Sequence, residues 1–276
     1  IYEQLLELDP VPTSESISNM ALAYLCDGKA EEALKSSVSG LGIVGNDTSC
    51  LAFKSTALNH LGRRNEAGVL LDFDRLIFQK RFNSIDGYDT TDEFNAKLSE
   101  YIVKHPDFGP TKLNRGLKSG ESIPSTILEG PLPSVLETFH LMILSAIRDY
   151  KTAAPVDQNH PFLTRHPDKT RIQWWGTLIK PHGYLESHFH PIGWLSGVYY
   201  PILPEAIDVH SENHEGWIQF GREYYKIGSD DNPPVCTVKP DTGLMILFPS
   251  YFGHRTLPFS TADERMSVAF DVIPVE

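Results

Sequence analysis

The sequence predicts an α+β protein with helices and strands segregated along the chain: helical hairpins over 1–80, supporting helices over 81–155, and an antiparallel β core over 169–276. Three observations predict it. A helical pattern recurs near the start, two amphipathic helices follow, and after Lys169 the pattern changes to short β-rich runs.

The recurrence lies between "AYLCDGKAEEAL", from Ala23, and "ALNHLGRRNEAGVL", from Ala57. A shift of 34 carries Ala23 to Ala57, Gly28 to Gly62, Glu32 to Glu66 and Ala33 to Ala67. That period matches the tetratricopeptide helix-turn-helix unit. Glycine permits the tight turn, and alanine lets the paired helices approach closely. "IYEQLLELDP" reads as the last helix of a preceding unit, ended by Pro10. About three units are needed for a stable stack, so these helices must lean on the next domain. Arrays of this kind bind peptides in a concave groove. With two units and no basic cluster, capping of the domain behind, or self-association, outweighs peptide capture.

In the middle, "YDTTDEFNAKLSEY" places Phe94, Leu98 and Tyr101 at helical spacing after an Asp/Thr start signal. "LPSVLETFHLMILSAIRDY" opens with Pro133 and repeats apolar residues at Leu136, Phe139, Met142, Ile143 and Ile147, a long helix suited to packing on a sheet. Between them, "LNRGLKSGESIPSTILEGPLP" is rich in Gly, Ser and Pro and reads as loop. Beyond Lys169, "RIQWWGTLIK", "GVYYPIL", "GWIQF", "CTVKP", "GLMILFPS" and "RMSVAFDVI" are short, β-branched or aromatic, and bounded by turn formers. Strands at this spacing indicate a sandwich or jelly roll.

Composition narrows the function. A net charge of −12 argues against nucleic acid, which requires clustered Lys and Arg, and the acidic excess is read as solubility. No polybasic run or long apolar span marks a membrane partner. Cys26, Cys50 and Cys236 are far apart and odd in number, which fits a reducing, cytoplasmic setting. The chain starts at Ile1 rather than Met, which leaves open what precedes it, a targeting signal included.

The chemistry gathers in "ESHFHPIGWLSGVYY". On a strand, residues two apart share a face, so His188 and His190 converge on one point. A third donor must come from another strand, and His254 follows the apolar run "GLMILFPSYFG". Three facing ligands with open positions opposite describe a catalytic metal site. Arg265 then enters an apolar strand with Ser267 on the same face. A buried guanidinium requires a counter-charge, either a protein carboxylate or a ligand carboxylate held by its planar fork. His182, His210 and His214 read as ordinary surface or hydrogen-bonded histidines. Trp174, Trp175, Trp194 and Trp217 read as core or pocket wall, with Trp194 near enough to the histidine pair to line the cavity. Arg222 and Arg255 read as solvated.

His-x-His, a long interval, a distal His and then Arg-x-Ser together resemble the Fe(II)/2-oxoglutarate-dependent oxygenases. More narrowly, "SHFHPIGWLSGVYY", "GLMILFPSYFGHRTLPF" and "ERMSVAFDVIP" resemble the bacterial oxygenases of that class that carry tetratricopeptide repeats in front of the barrel. The likeness runs from about Leu71, through "EFNAKL", to the C-terminus. It implies a double-stranded β-helix with Fe(II) on His188, His190 and His254. It further implies that Arg265, assisted by Ser267 and Tyr200, holds the far carboxylate of 2-oxoglutarate, with O2 as the other cosubstrate. The departure is at His190, where most of the superfamily carries Asp or Glu; Glu186 is the alternative carboxylate. The implied reaction is hydroxylation of a protein, peptide or small natural product with release of succinate and CO2. Two other readings stay open: a catalytically silent cupin-like scaffold, and a three-His cupin dioxygenase that does not use 2-oxoglutarate.

Overall fold

In the computed structural model, which describes residues 12–110, 116–204, 207, 214–224, 227, 233–260 and 262–275, the described residues begin with four helices. These are α1 (Ser14–Cys26), α2 (Ala30–Ile43), α3 (Thr48–His60) and α4 (Arg64–Leu70). Thr13 and Asp47 cap α1 and α3 by accepting from the backbone N–H of Ser16 and Cys50. The related turns close alike. Gly28 and Gly62 sit at φ 73° and 68°, and the N–H groups of Lys29 and Arg63 donate to the carbonyls of Tyr24 and Leu58. Ala33 and Ala67 are wholly buried between the paired helices. The stretch read as a preceding helix, 1–10, lies outside the described residues.

A short α5 (Phe73–Leu76) leads into β1 (Phe78–Arg81), which spans the boundary drawn at residue 80 and pairs with β9 (Leu244–Pro249). Thr90 caps α6 (Thr91–Val103), and α7 (Ser134–Ala153) starts directly after Pro133. Helix α7 buries the whole apolar stripe expected of it, while in α6 Phe94 and Leu98 are buried and Tyr101 is half-buried. The stretch read as loop between them holds strands instead: β3 (Leu117–Ser122), paired with β2 (Gly109–Pro110), and β4 (Thr126–Ile127). Both β3 and β4 pair with β5 (Thr170–His188). Their Gly- and Ser-rich composition hid them because they are held by ladder hydrogen bonds to β5 rather than by apolar side chains.

The remaining strands are β6 (Leu195–Ile202), β7 (Ile218–Phe220), β8 (Cys236–Val238), β10 (His254–Thr256) and β11 (Arg265–Pro274). Every pairing is antiparallel. The sheet runs β1-β9-β6-β11-β5-β10-β7-β8 and curls, with β2, β3 and β4 attached through β5. Strand β5 runs well past the predicted "RIQWWGTLIK". It passes a left-handed residue at His182 (φ 63°) and pairs with β11 in its first half and β10 in its second.

Strand parity divides the two faces. Trp174, Tyr199 and Phe270 face the helices; Phe139 of α7 packs on Tyr199 and Phe270, and the Tyr199 hydroxyl donates to Asn95 of α6 at 2.7 Å. Their neighbours Trp175, Ser196, Tyr200, Arg265, Ser267 and Asp271 share the opposite, inner face. One hydrophobic cluster extends from Ala21 to Val272, so the helical front and the sheet share a core. Among the described residues, no helix is long and apolar enough to cross a membrane.

Candidate metal centre

His254 is the cross-strand partner of His188 in the β10–β5 ladder, which sets the two imidazoles side by side with ring centres 4.4 Å apart. His190 lies just past the end of β5, where its N–H donates to the carbonyl of Ser250. Its ring centre is 5.2 Å from that of His188 and 4.9 Å from that of His254. Each imidazole offers a ligand nitrogen, and the three atoms lie within 4.8 Å of one another.

The tautomers follow from the partners. The Nδ1 of His188 meets the carbonyl of Glu186 at 2.8 Å, and that of His254 meets the carbonyl of Phe252 at 2.9 Å. A carbonyl only accepts, so both Nδ1 atoms carry the proton and both Nε2 atoms keep a lone pair. The His190 Nδ1 donates to Asp271 Oδ1 at 2.6 Å, again leaving Nε2 for a ligand. Burial, with His190 beside it, pulls the His188 imidazole down to about 4. His254 is held well below its usual range by burial and then by the other two rings. Three clustered imidazoles, each with its Nδ1 turned to a protein acceptor, form a donor set for a divalent transition metal.

Arg265 is 1% exposed, and no carboxylate pairs with it among the described residues. Its Nε has no hydrogen-bond partner. The guanidinium carbon lies 4.9 Å from the centre of the Tyr200 ring. The buried Tyr200 hydroxyl lies close to the guanidinium but makes no hydrogen bond of good geometry; burial pushes it up to about 12, against the pull of the Arg265 charge and donor. Ser267 follows Arg265 on the inner face, opposite Thr177. A buried cation whose Nε–H has no acceptor fits an anionic ligand with a planar carboxylate.

Other residues take different places from those expected. Glu186, the alternative carboxylate, faces Lys118 at 3.5 Å and stands outside the histidine group. Trp194 does not line the cavity: it stacks on Phe162 and meets Tyr150 on the helix side. Trp175 is the tryptophan beside the site, 5.3 Å from His190. Arg255 is half-buried and donates to Gln219, and Arg222 has a buried Nε, so neither is simply solvated. His182 is exposed, His214 packs on Trp217, and His210 is outside the described residues. Asp271 and Ser196 went unread. The available signal was an aspartate of the same strand parity as Arg265 inside the apolar run "SVAFDVI".

The turn that carries His190 is braced from the helical front. Phe189 packs edge-on against Phe53 of α3 at 5.4 Å, and Thr48 of the same helix donates to the carbonyl of Gly193 at 2.7 Å. A Cβ at Gly193 would run into the Ser250 hydroxyl, so the turn closes tightly against the end of β9.

Residues 173–271 match the protein family described as "Putative 2OG-Fe(II) oxygenase", a span that holds all three histidines and Arg265. A comparison with curated proteins found no match. Among solved structures, a Pseudomonas putida prolyl-4-hydroxylase is similar at TM-score 0.46 and 14% identity, covering 76% of this chain and 98% of that one. HygX from Streptomyces hygroscopicus, with nickel and 2-oxoglutarate bound, is similar at 0.46 and 14%, over 75% and 86%. A Trichoplax adhaerens prolyl hydroxylase in complex with a hypoxia inducible factor peptide is similar at 0.47 and 11%, over 77% and 91%.

Proposed function

We propose that the chain is a 2OG-Fe(II) oxygenase that hydroxylates a protein, peptide or small natural product, a reading supported by the family match over residues 173–271. His188, His190 and His254 would hold Fe(II), and Arg265, with Ser267 and Tyr200, would hold the far carboxylate of 2-oxoglutarate. Bound there, the metal and cosubstrate supply oxidation by O2, in which one oxygen atom enters the substrate hydroxyl, the other enters succinate, and CO2 leaves.

The chain's own part is positional. Backbone carbonyls fix the tautomers of His188 and His254, so no proton has to leave either ring before metal binds. Arg265 presents charge to a diacid in a place from which water is largely removed, where that charge is worth most. Trp175 and the exposed Ile192 flank the His190 turn and would form part of the substrate wall. We read 1–80 as a tetratricopeptide-like front and 81–276 as an oxygenase domain with a jelly-roll core over 169–276. The like-closed turns at Gly28 and Gly62 support the first part. The bracing contacts from α3 favour a supporting role over peptide capture. The widely spaced cysteines favour a cytoplasmic setting.

The observation that carries this reading is the pairing of three clustered imidazoles with a buried arginine that meets no carboxylate among the described residues. Anaerobic addition of Fe(II) and 2-oxoglutarate should produce a visible charge-transfer band that is absent in His254→Ala. On admission of O2, succinate should accumulate. A wild-type protein without the band would sink the assignment.

A further inference from the structure

Asp271 is 5% exposed on the inner face of β11, opposite Ser196 of β6, and no lysine or arginine pairs with it among the described residues. Its Oδ1 accepts from the His190 Nδ1–H at 2.6 Å and from the Ser196 hydroxyl at 2.6 Å. Ser196 Oγ is also 3.0 Å from the same Nδ1 and 2.8 Å from Ser250 Oγ. With Ser196 donating to Asp271, the Ser250 hydroxyl donates to Ser196. Ser250 is itself tied by its carbonyl to the His190 N–H and by its N–H to Trp194. An anion this buried needs positive charge close by. The His190 ring can supply it by carrying a second proton, or a cation can supply it on the far side of that ring, where the three histidines meet.

Resting on the reading that His190 is a ligand, we infer that Asp271 is a positioning residue that supplies, through His190, the negative charge a coordinating carboxylate would otherwise bring to the metal. Three neutral imidazoles leave Fe(II) one charge less compensated than two imidazoles and a carboxylate do. Asp271 returns that charge one hydrogen bond away, polarising the Nδ1–H bond and making Nε2 a stronger donor. Ser196, itself hydrogen-bonded to Ser250, holds the carboxylate against the His190 Nδ1, so the same contacts fix the ring's rotation.

The test titrates metal-free protein with Fe(II), then 2-oxoglutarate, under anaerobic conditions. Wild type is compared with Asp271→Asn, Asp271→Glu, His190→Ala and His254→Ala, each first checked by thermal melt. Asparagine keeps the shape and an acceptor oxygen and removes the charge. Asp271→Asn should still bind one Fe(II), with affinity lowered about 10- to 100-fold and the charge-transfer band moved to higher energy, because losing a nearby anion stabilises the filled metal orbitals. Wild-type affinity and an unmoved band in that variant would overturn the inference. Should Asp271→Asn fail to fold, Asp271→Glu decides: a band at the wild-type energy supports the charge argument and a displaced one ends it. If His254→Ala binds Fe(II) as tightly as wild type, the proposed metal centre itself fails. If only His190→Ala does so, the centre stands and the role given to Asp271 falls.

Discussion

The guanidinium of Arg265 lies over the ring of Tyr200, 4.9 Å from its centre, and no carboxylate of the described chain reaches it. A buried charge with no carboxylate beside it among the described residues favours an anionic ligand. Replacing Arg265 with Met removes the charge and keeps the bulk. The variant should melt no lower than wild type while its 2-oxoglutarate affinity, measured with Mn(II) in place of iron, falls at least about 100-fold, the scale of losing a bidentate charged contact worth about 3 kcal/mol. A lower melting temperature with unchanged affinity would show that the arginine is structural.

Adjacent tyrosines should separate stability from binding. Tyr199 faces the helices and donates to Asn95, so Tyr199→Phe should cost about 1 kcal/mol of stability and leave 2-oxoglutarate affinity intact. The Tyr200 hydroxyl makes no hydrogen bond of good geometry, only a close approach to Arg265, so Tyr200→Phe should leave stability nearly unchanged and weaken the cosubstrate. Denaturant titration beside ligand titration reads both, and the reverse pattern would exchange the two roles.

Support of the metal turn by the helical front can be measured directly. Phe53 is 4% exposed and packs against Phe189, between two of the histidines. Phe53→Ala should destabilise by about 3–5 kcal/mol and, in the fraction that remains folded at low temperature, weaken Fe(II) binding. Metal affinity equal to wild type would reduce the front to a simple cap.

Acid should loosen the metal-free protein. His140, His160, His166, His188 and His254 are all held below the usual imidazole range, burial being the largest cause in each. Their unfolded counterparts titrate near 6.5, so between that value and the folded ones the unfolded chain binds more protons. The stability these rings contribute is present above about pH 6.5 and is lost as pH falls below it. For His188 the loss continues until about pH 4. Melting temperatures from pH 7.5 to 5 should fall steadily. A flat or rising series would mean the rings are not buried as described.

The amino-acid sequence by itself determined the helical front and the strand-rich end, the two related hairpin turns, and the supply of His188, His190, His254 and Arg265 in three patterned segments. These are local matters. A glycine after a helix, a period of two or of 3.6, and an arginine in an apolar run are set by neighbours along the chain. Only the tertiary structure decided which strand face lies inside, and therefore that Tyr200 rather than Tyr199 meets Arg265 and that Trp175 rather than Trp194 flanks the histidines. It also decided that Asp271 stands opposite Ser196 and beneath His190. Cross-strand register brings these residues together from distant segments, and register is fixed by how whole faces bury against the helices, which no short window of sequence contains. Strands β3 and β4 escaped notice for the same reason: what holds them is β5, far along the chain.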